Sequence, residues 1–385
     1  MFSQDPITAV VHPDPYAYYA NLVAHKPLYY DDRLSLWVAS SASAVTDVLT
    51  SELCRVRPAT EPVPEALLGS PAADIFRHLV RMNDGERHYP FKQAVSAALA
   101  SSIAVRAAQE SSKWARLLLD ASGSKHLSRF AFHLPVYVVG SLLGVPRDGL
   151  HQTALWMSDF ARCLAPASSP DQIELGKTAA GHLLKMFRAL LAAENQDSLL
   201  SALAREAKRI GREDMDVIVA NGIGFLSQAY EATAGLIGNA LLALASRPEI
   251  RNQVTAHPDL LRPVIQEVLR YDSPVQNTRR FLAEDGFVAG EKMKSGDVIL
   301  VILAAANRDP AVNPNPERFD PFRKERRIFT FGVGPHACPG EALATTIAKA
   351  GVERLIVSGV ALERLAETTT YRASANTRIP LFAEG

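Results

Sequence analysis

Cysteine is scarce in this chain: three occur in 385 residues, at positions 54, 163 and 338. A structural zinc site draws on about four ligands. Cys54 and Cys163 each stand without a partner at ligand spacing, so neither a zinc module nor an iron–sulfur cluster is encoded. So few cysteines in this length fit a reducing compartment. An excess of one charge is also missing, since Lys+Arg and Asp+Glu both number 41, which gives no footprint for nucleic acid or an acidic membrane. There is no Gly/Ser linker, internal repeat or low-complexity run. Length alone would permit two or three domains, yet nothing divides the chain, and residues 1–385, 48% hydrophobic, read as one domain with a sizeable core. Residues 1–19 lack the basic-then-apolar signature of a signal peptide, and the expected location is cytoplasmic. Residues 217–245 form the one stretch that could pass for a membrane span, but they carry Asn221, Gln228, Glu231 and Asn239. An ionisable group there is expensive in lipid, so 213–245 is read as a long buried central helix. Flavin domains and nicotinamide fingerprints are absent too.

What is present is one informative stretch: Phe331-Gly332-Val333-Gly334-Pro335-His336-Ala337-Cys338-Pro339-Gly340. A Gly/Pro-rich loop carries a single cysteine into an alanine-rich segment, 341–350, that reads as helix. Pro339 suits the first helical position, where its missing N–H costs nothing. Cys338 then lies at a helix N-terminus, which favours a thiolate. Gly332, Gly334 and Gly340 allow the backbone close to something flat and large. A thiolate so presented suits an axial ligand of haem iron. Three other readings compete: a zinc ligand, a nucleophile paired with His336, and a buried structural cysteine. The first lacks partners, the second has poor geometry for proton transfer, and the third needs no glycine frame.

Apolar positions recur at helical spacing over 16–24, 44–50, 90–100, 105–119, 130–143, 150–163 and 173–193. Short β-like pieces fall at 27–30, 36–39, 287–289 and 298–302. Pro/Ala/Ser-rich connections at 60–73 and 165–171 read as the mobile parts.

The cysteine loop resembles the haem-binding segment of the cytochrome P450 family of haem-thiolate monooxygenases. Glu267-Val268-Leu269-Arg270, followed by Ser273-Pro274-Val275-Gln276, has that family's Glu-x-x-Arg spacing, and Asn315-Pro316-Glu317-Arg318-Phe319-Asp320-Pro321 looks like its meander segment. The similarity runs from about Asp14 to Leu381 and is sharpest from Glu213 onward. It implies a mainly α fold of soluble bacterial type with a small β-rich flank. Haem b would lie between the central helix and the cysteine-loop helix, with Cys338 as its axial ligand and Phe331 and Gly340 against it. It implies a buried charge cluster of Glu267, Arg270 and Arg318. His88, Lys92, Arg280 and His336 are implied to neutralise the haem propionates; lysine stands at 92 where the family usually has arginine, so a bidentate contact there is in doubt. Phe225, Gln228, Ala232, Val275 and Asn277 are substrate-pocket candidates by analogy.

The central helix departs from the family pattern. It reads Gln228-Ala229-Tyr230-Glu231-Ala232-Thr233, so the family's acid falls on Glu231 as proton relay and its oxygen-handling threonine falls on Ala232. Thr233, the second threonine, is a catalytic candidate beside Glu231 and Gln228, but it points roughly 100° away round a helix of ~3.6 residues per turn and is a poor stand-in. Gln228, a water or a substrate hydroxyl could replace the missing hydroxyl; alternatively Gln228 turns aside and satisfies helix backbone.

Electrons must come from outside, most simply from a ferredoxin with its reductase. Arg323, Lys324, Arg326 and Arg327, with Arg77 and Arg81, could form a basic patch for that partner or merely a solvated basic loop. A carrier protein presenting the substrate is a further partner compatible with the resemblance. The expected function is an iron-dependent oxidoreductase that hydroxylates or epoxidises a small apolar metabolite. A peroxide-driven, rearranging or dehydrating haem-thiolate enzyme is the alternative that Ala232 favours. A haem-binding sensor or carrier without turnover is a third.

Overall fold

The computed structural model describes residues 5–100, 103–122, 126–165, 168–193, 195 and 197–383. Helices dominate, and the longest, Met215–Ala245, runs 31 residues through the middle of the largest core cluster. At ~1.5 Å per residue such a helix crosses a domain of this size. Its start is set by Asp214, whose carboxylate accepts from the Asp216 and Val217 N–H groups at 2.9 and 3.3 Å, and an acidic N-cap also complements the helix dipole. Polar residues inside the helix are tethered. Asn221 accepts from the Val80 N–H and donates to the His78 carbonyl, both at 2.8 Å, and Asn239 donates to the Asp272 carbonyl at 2.7 Å. Gly238 makes room for a neighbour, since a Cβ there would lie 2.8 Å from Pro380 Cδ. No helix among the described residues is long and apolar enough to cross a membrane.

The β-rich flank is a five-stranded sheet in the order Leu28–Asp31, Leu36–Ala39, Val298–Val301, Thr278–Leu282, Cys54–Arg55. Pairings are antiparallel except the second with the third, where Trp37 lies opposite Ile299. One face of this sheet buries Ala39, Ile299, Val301 and Leu282 against the helix Ala42–Thr50.

Amphipathic periodicity located most helices, because one buried face is a local property of sequence. Residues 60–73 differ from their reading as a connection. They contain the 3₁₀ turn Glu65–Leu67 and the start of the helix Pro71–His78, whose Ser70 N-cap and following proline form a local start signal. Likewise the helix Pro170–Ala192 begins inside 165–171, with a capping box between Ser169 and Gln172; 166 and 167 lie outside the described residues. Three further helices, Leu199–Arg209, Pro248–Ala256 and Leu261–Tyr271, complete the body.

Candidate functional site

The cysteine loop is a hydrogen-bonded bend. Gly332 N–H donates to the Phe329 carbonyl at 2.7 Å, Ala337 N–H to Gly334 at 3.0 Å, and Cys338 N–H to Phe331 at 2.8 Å. Gly334 adopts φ +72°, and a Cβ there would press on Thr50 at 2.9 Å, so a glycine lets the loop dock on the helix Ala42–Thr50. The helix after the loop starts at Glu341 with Gly340 as N-cap. Pro339 is therefore two residues short of the first helical position expected of it, because the first i→i−4 bond runs from Ala344 N–H to the Gly340 carbonyl. The Gly340 N–H points instead at the Cys338 sulfur, 3.4 Å away.

The Cys338 side chain is accessible, yet burial pushes its thiol above the ordinary value, opposed by the Gly340 N–H and the charges of Lys92 and Arg81. The sulfur is thus accessible and yet closely surrounded by protein. The basic residues gathered near the loop fit a dianionic cofactor. His88 is buried with its Nε2 unpartnered. Its ring stacks on His336 at 4.0 Å, and burial, helped by His336 and Lys92, pushes its pKa down to about 4. His336 Nε2 sits 2.9 Å from an Asp84 oxygen, and Lys92 Nζ donates to the Ala337 carbonyl at 2.6 Å. Arg280 is buried beside Asp84, which partly offsets the lowering of its pKa by burial. Four basic residues expected together thus gather near the loop and Asp84, His88 among them as a neutral ring. Asp84, the acid that links two of them, was missed; its only signal is a turn-forming Asp-Gly pair four residues before His88.

The central helix supplies a second wall. Gln228 is exposed in mid-helix, and its Nε2 donates back to the Gly224 carbonyl at 2.9 Å. Of the two roles open to it, the amide is engaged with helix backbone. Phe225, Ala232 and Val275 are partly buried. Asn277, expected in the pocket, is buried and donates to the Ala375 carbonyl at 2.9 Å; it braces the C-terminal segment instead. Glu231 pairs with Arg372 at 3.2 Å, and burial raises its pKa against the pull of Arg372 and of a hydrogen bond from Thr377. Thr233 is buried with an unpartnered hydroxyl. It lies off the accessible face that carries Gln228 and Ala232, so the catalytic role considered for it is corrected on burial.

Two charge assignments are also corrected. Glu267 and Arg270 do pair, fully buried, at 2.6 Å. The third member is Arg326, 2.9 Å from the other carboxylate oxygen, with Arg323 at 3.6 Å. Arg318 keeps its side chain 72% exposed and offers only its carbonyl, to Arg270 Nη2 at 3.0 Å. The meander segment turns so that later residues, not its own arginine, face the helix. With Arg323 and Arg326 so engaged, the basic patch expected of Arg323, Lys324, Arg326 and Arg327 with Arg77 and Arg81 loses two members, while Lys324, Arg327 and Arg81 are exposed.

Residues 173–357 match the family model described as Cytochrome P450. The chain is 26% identical over 355 residues to the "Biotin biosynthesis cytochrome P450" of Bacillus subtilis (strain 168), covering 89% of this chain and 88% of that one. It is 35% identical over 243 residues to the "Vitamin D(3) 25-hydroxylase" of Pseudonocardia autotrophica, covering 62% of this chain and 59% of that one. The fold superposes with a TM-score of 0.81 at 25% identity on the crystal structure of P450BioI in complex with hexadec-9Z-enoic acid ligated acyl carrier protein, covering 95% of this chain and 96% of that one.

Proposed function

The chain belongs to the cytochrome P450 family, and from that premise we propose a haem-thiolate monooxygenase taking electrons from an external ferredoxin-type donor. It would hydroxylate or epoxidise a small, largely apolar molecule. The observation that carries this reading is the accessible Cys338 sulfur, held by one backbone N–H on a glycine-framed loop. Haem b, held by Cys338 with His88, Lys92, Arg280 and His336 toward its propionates, would supply dioxygen activation that no side chain here provides.

The chain's own residues do the rest. Lys92, fixed to the Ala337 carbonyl, keeps positive charge beside the sulfur. Glu231 is placed to handle a proton: burial favours its neutral form while Arg372 at 3.2 Å favours the carboxylate, and such a balance suits a group that takes up and releases protons. Phe225, Ala232 and Val275 give an apolar wall that keeps water out. The name of the vitamin D(3) relative supports hydroxylation of an apolar compound, and the acyl carrier protein bound in the related crystal structure supports a carrier as a second partner. The buried free thiols Cys54 and Cys163 support a reducing, cytoplasmic setting.

A second reading has one observation in its favour. Ala232 offers no hydroxyl, and the Gln228 amide folds back on the Gly224 carbonyl with one of its two N–H groups engaged. A peroxide-driven oxidation, or a rearrangement or dehydration, dispenses with that hydroxyl. The test compares one substrate under a ferredoxin–reductase–NADH system and under added peroxide, after recording the ferrous–CO spectrum. Product with the reductase system supports the monooxygenase. Product with peroxide alone supports the second reading, and a CO spectrum without thiolate character overturns both.

A further inference from the structure

The C-terminal end of the central helix borders a cavity of about 630 Å³. None of the residues lining it belongs to the group gathered near the cysteine loop. Its walls come from the helix Tyr16–His25, the last turns of Met215–Ala245, the end of Leu261–Tyr271 and the C-terminal segment at Tyr371 and Arg378. Arg378 is the fixed corner. Its Nε donates to Asp272 Oδ1 at 2.9 Å, and its other nitrogens donate to the Val10, His12 and Pro13 carbonyls. The Tyr16 O–H donates to the same Asp272 oxygen. Asp272 and Arg378 therefore neutralise each other.

Two further arginines line the cavity without such a partner. Arg308 is 9% exposed, and its Cζ lies 3.7 Å from the ring centroids of both Tyr16 and Tyr271, which stand 6.3 Å apart. The guanidinium is thus held between two aromatic faces. Its Nε and Nη2 donate to the Tyr271 carbonyl at 2.9 and 2.7 Å, which leaves Nη1 unused. Arg247 places its Cζ 4.3 Å from the Phe319 ring centroid and 5.0 Å from that of Tyr271, and only Nη1 is engaged, by the Ala243 carbonyl at 3.2 Å. Among the described residues neither arginine forms an ion pair, although Asp14 and Glu317 line the same cavity. Ring faces offset part of the cost of desolvating a cation, but they leave its N–H edges idle. A guanidinium edge matches a carboxylate. Asp14 and Glu317 are exposed and repel a second negative charge, so a monoanion fits better than a dianion. Ala17, Ala20 and Leu242 give the wall an apolar stretch for an organic body.

We propose that this cavity binds a small organic monocarboxylate at the free edges of Arg308 and Arg247, as a ligand site separate from the one that carries Cys338. The test titrates the full-length, haem-loaded protein with hexanoate, benzoate and cinnamate, each beside its amide, by calorimetry, with the Soret band recorded in parallel. At least one carboxylate is expected to bind about tenfold or more tightly than its amide. R247Q should weaken that carboxylate about tenfold. A20W, which sets a bulky side chain at an exposed position of the cavity wall, should weaken it by at least as much. No binding by any carboxylate, equal affinity for acid and amide, or wild-type affinity in either variant overturns the proposal. Binding that shifts the Soret band and persists in A20W would put the carboxylate beside Cys338, which overturns it as well. Should one variant not fold, the other decides.

Discussion

Glu267 and His88 are both titratable groups drawn inside the molecule, and they live under opposite rules. Glu267 has no accessible surface and meets Arg270, Arg326, Arg323 and the Asp320 N–H, so every lone pair has a partner. His88 is buried with its Nε2 unpartnered, and burial pushes its pKa down to about 4. The first arrangement spends polar groups on each other and yields a rigid support under the cysteine loop. The second keeps hydrogen-bonding capacity in reserve, at a cost in stability that a bound partner can return. A buried titratable group that is fully paired reads as architecture; one left open reads as a place for chemistry.

The contrast can be broken at its strong end. E267A leaves three guanidinium groups around an empty centre and should cost about 3–5 kcal/mol of stability, measured by denaturant or thermal unfolding. A loss below about 1 kcal/mol would mean that the cluster supports nothing. E231Q should leave stability nearly unchanged and lower turnover about 100-fold, with substrate binding by Soret titration intact. Unaltered turnover would remove Glu231 from proton handling. The corrected pairing gives a sharper test: R326A should cost roughly 2 kcal/mol, while R318A, on the exposed side chain, should stay within about 0.5 kcal/mol. The reverse order would restore Arg318 to the cluster.

A smaller effect comes from His133, on the helix Leu127–Leu143. Its pKa is pushed down to about 4 from 6.5 by burial, with His151 and Arg129 adding to the shift. Between those values the unfolded chain binds a proton that the folded chain refuses, so stability is full above pH 6.5 and declines as the pH falls toward 4. H133N should flatten that decline by about 1 kcal/mol at pH 5 in unfolding experiments. An unchanged slope would place the acid sensitivity elsewhere.

Much of the fold was legible because helix formation depends on neighbours a few residues away. The central helix, read as 213–245, is Met215–Ala245, and the stretch 150–163 is the helix Leu150–Cys163. The Ser-Pro starts at 70–71 and 169–170 were equally local and could have been read. Glu267 with Arg270 was legible for the same reason, one turn apart on one helix. Arg326 was not, since it reaches Glu267 across 59 residues through a segment with no periodicity. Asn277 looked like a pocket residue until the C-terminal segment folded over it and took its amide.

By itself the sequence determined the cysteine loop, the helical body, the His88–Lys92 pair one turn apart and the loss of a hydroxyl at Ala232, because each is written in residue types and short spacings. Only the tertiary structure decided which arginines close on Glu267, that Gln228 folds back on Gly224, and that the C-terminal segment takes the Asn277 amide. Those outcomes depend on which side of a bend meets which helix, and that is settled by the packing of segments far apart in the chain.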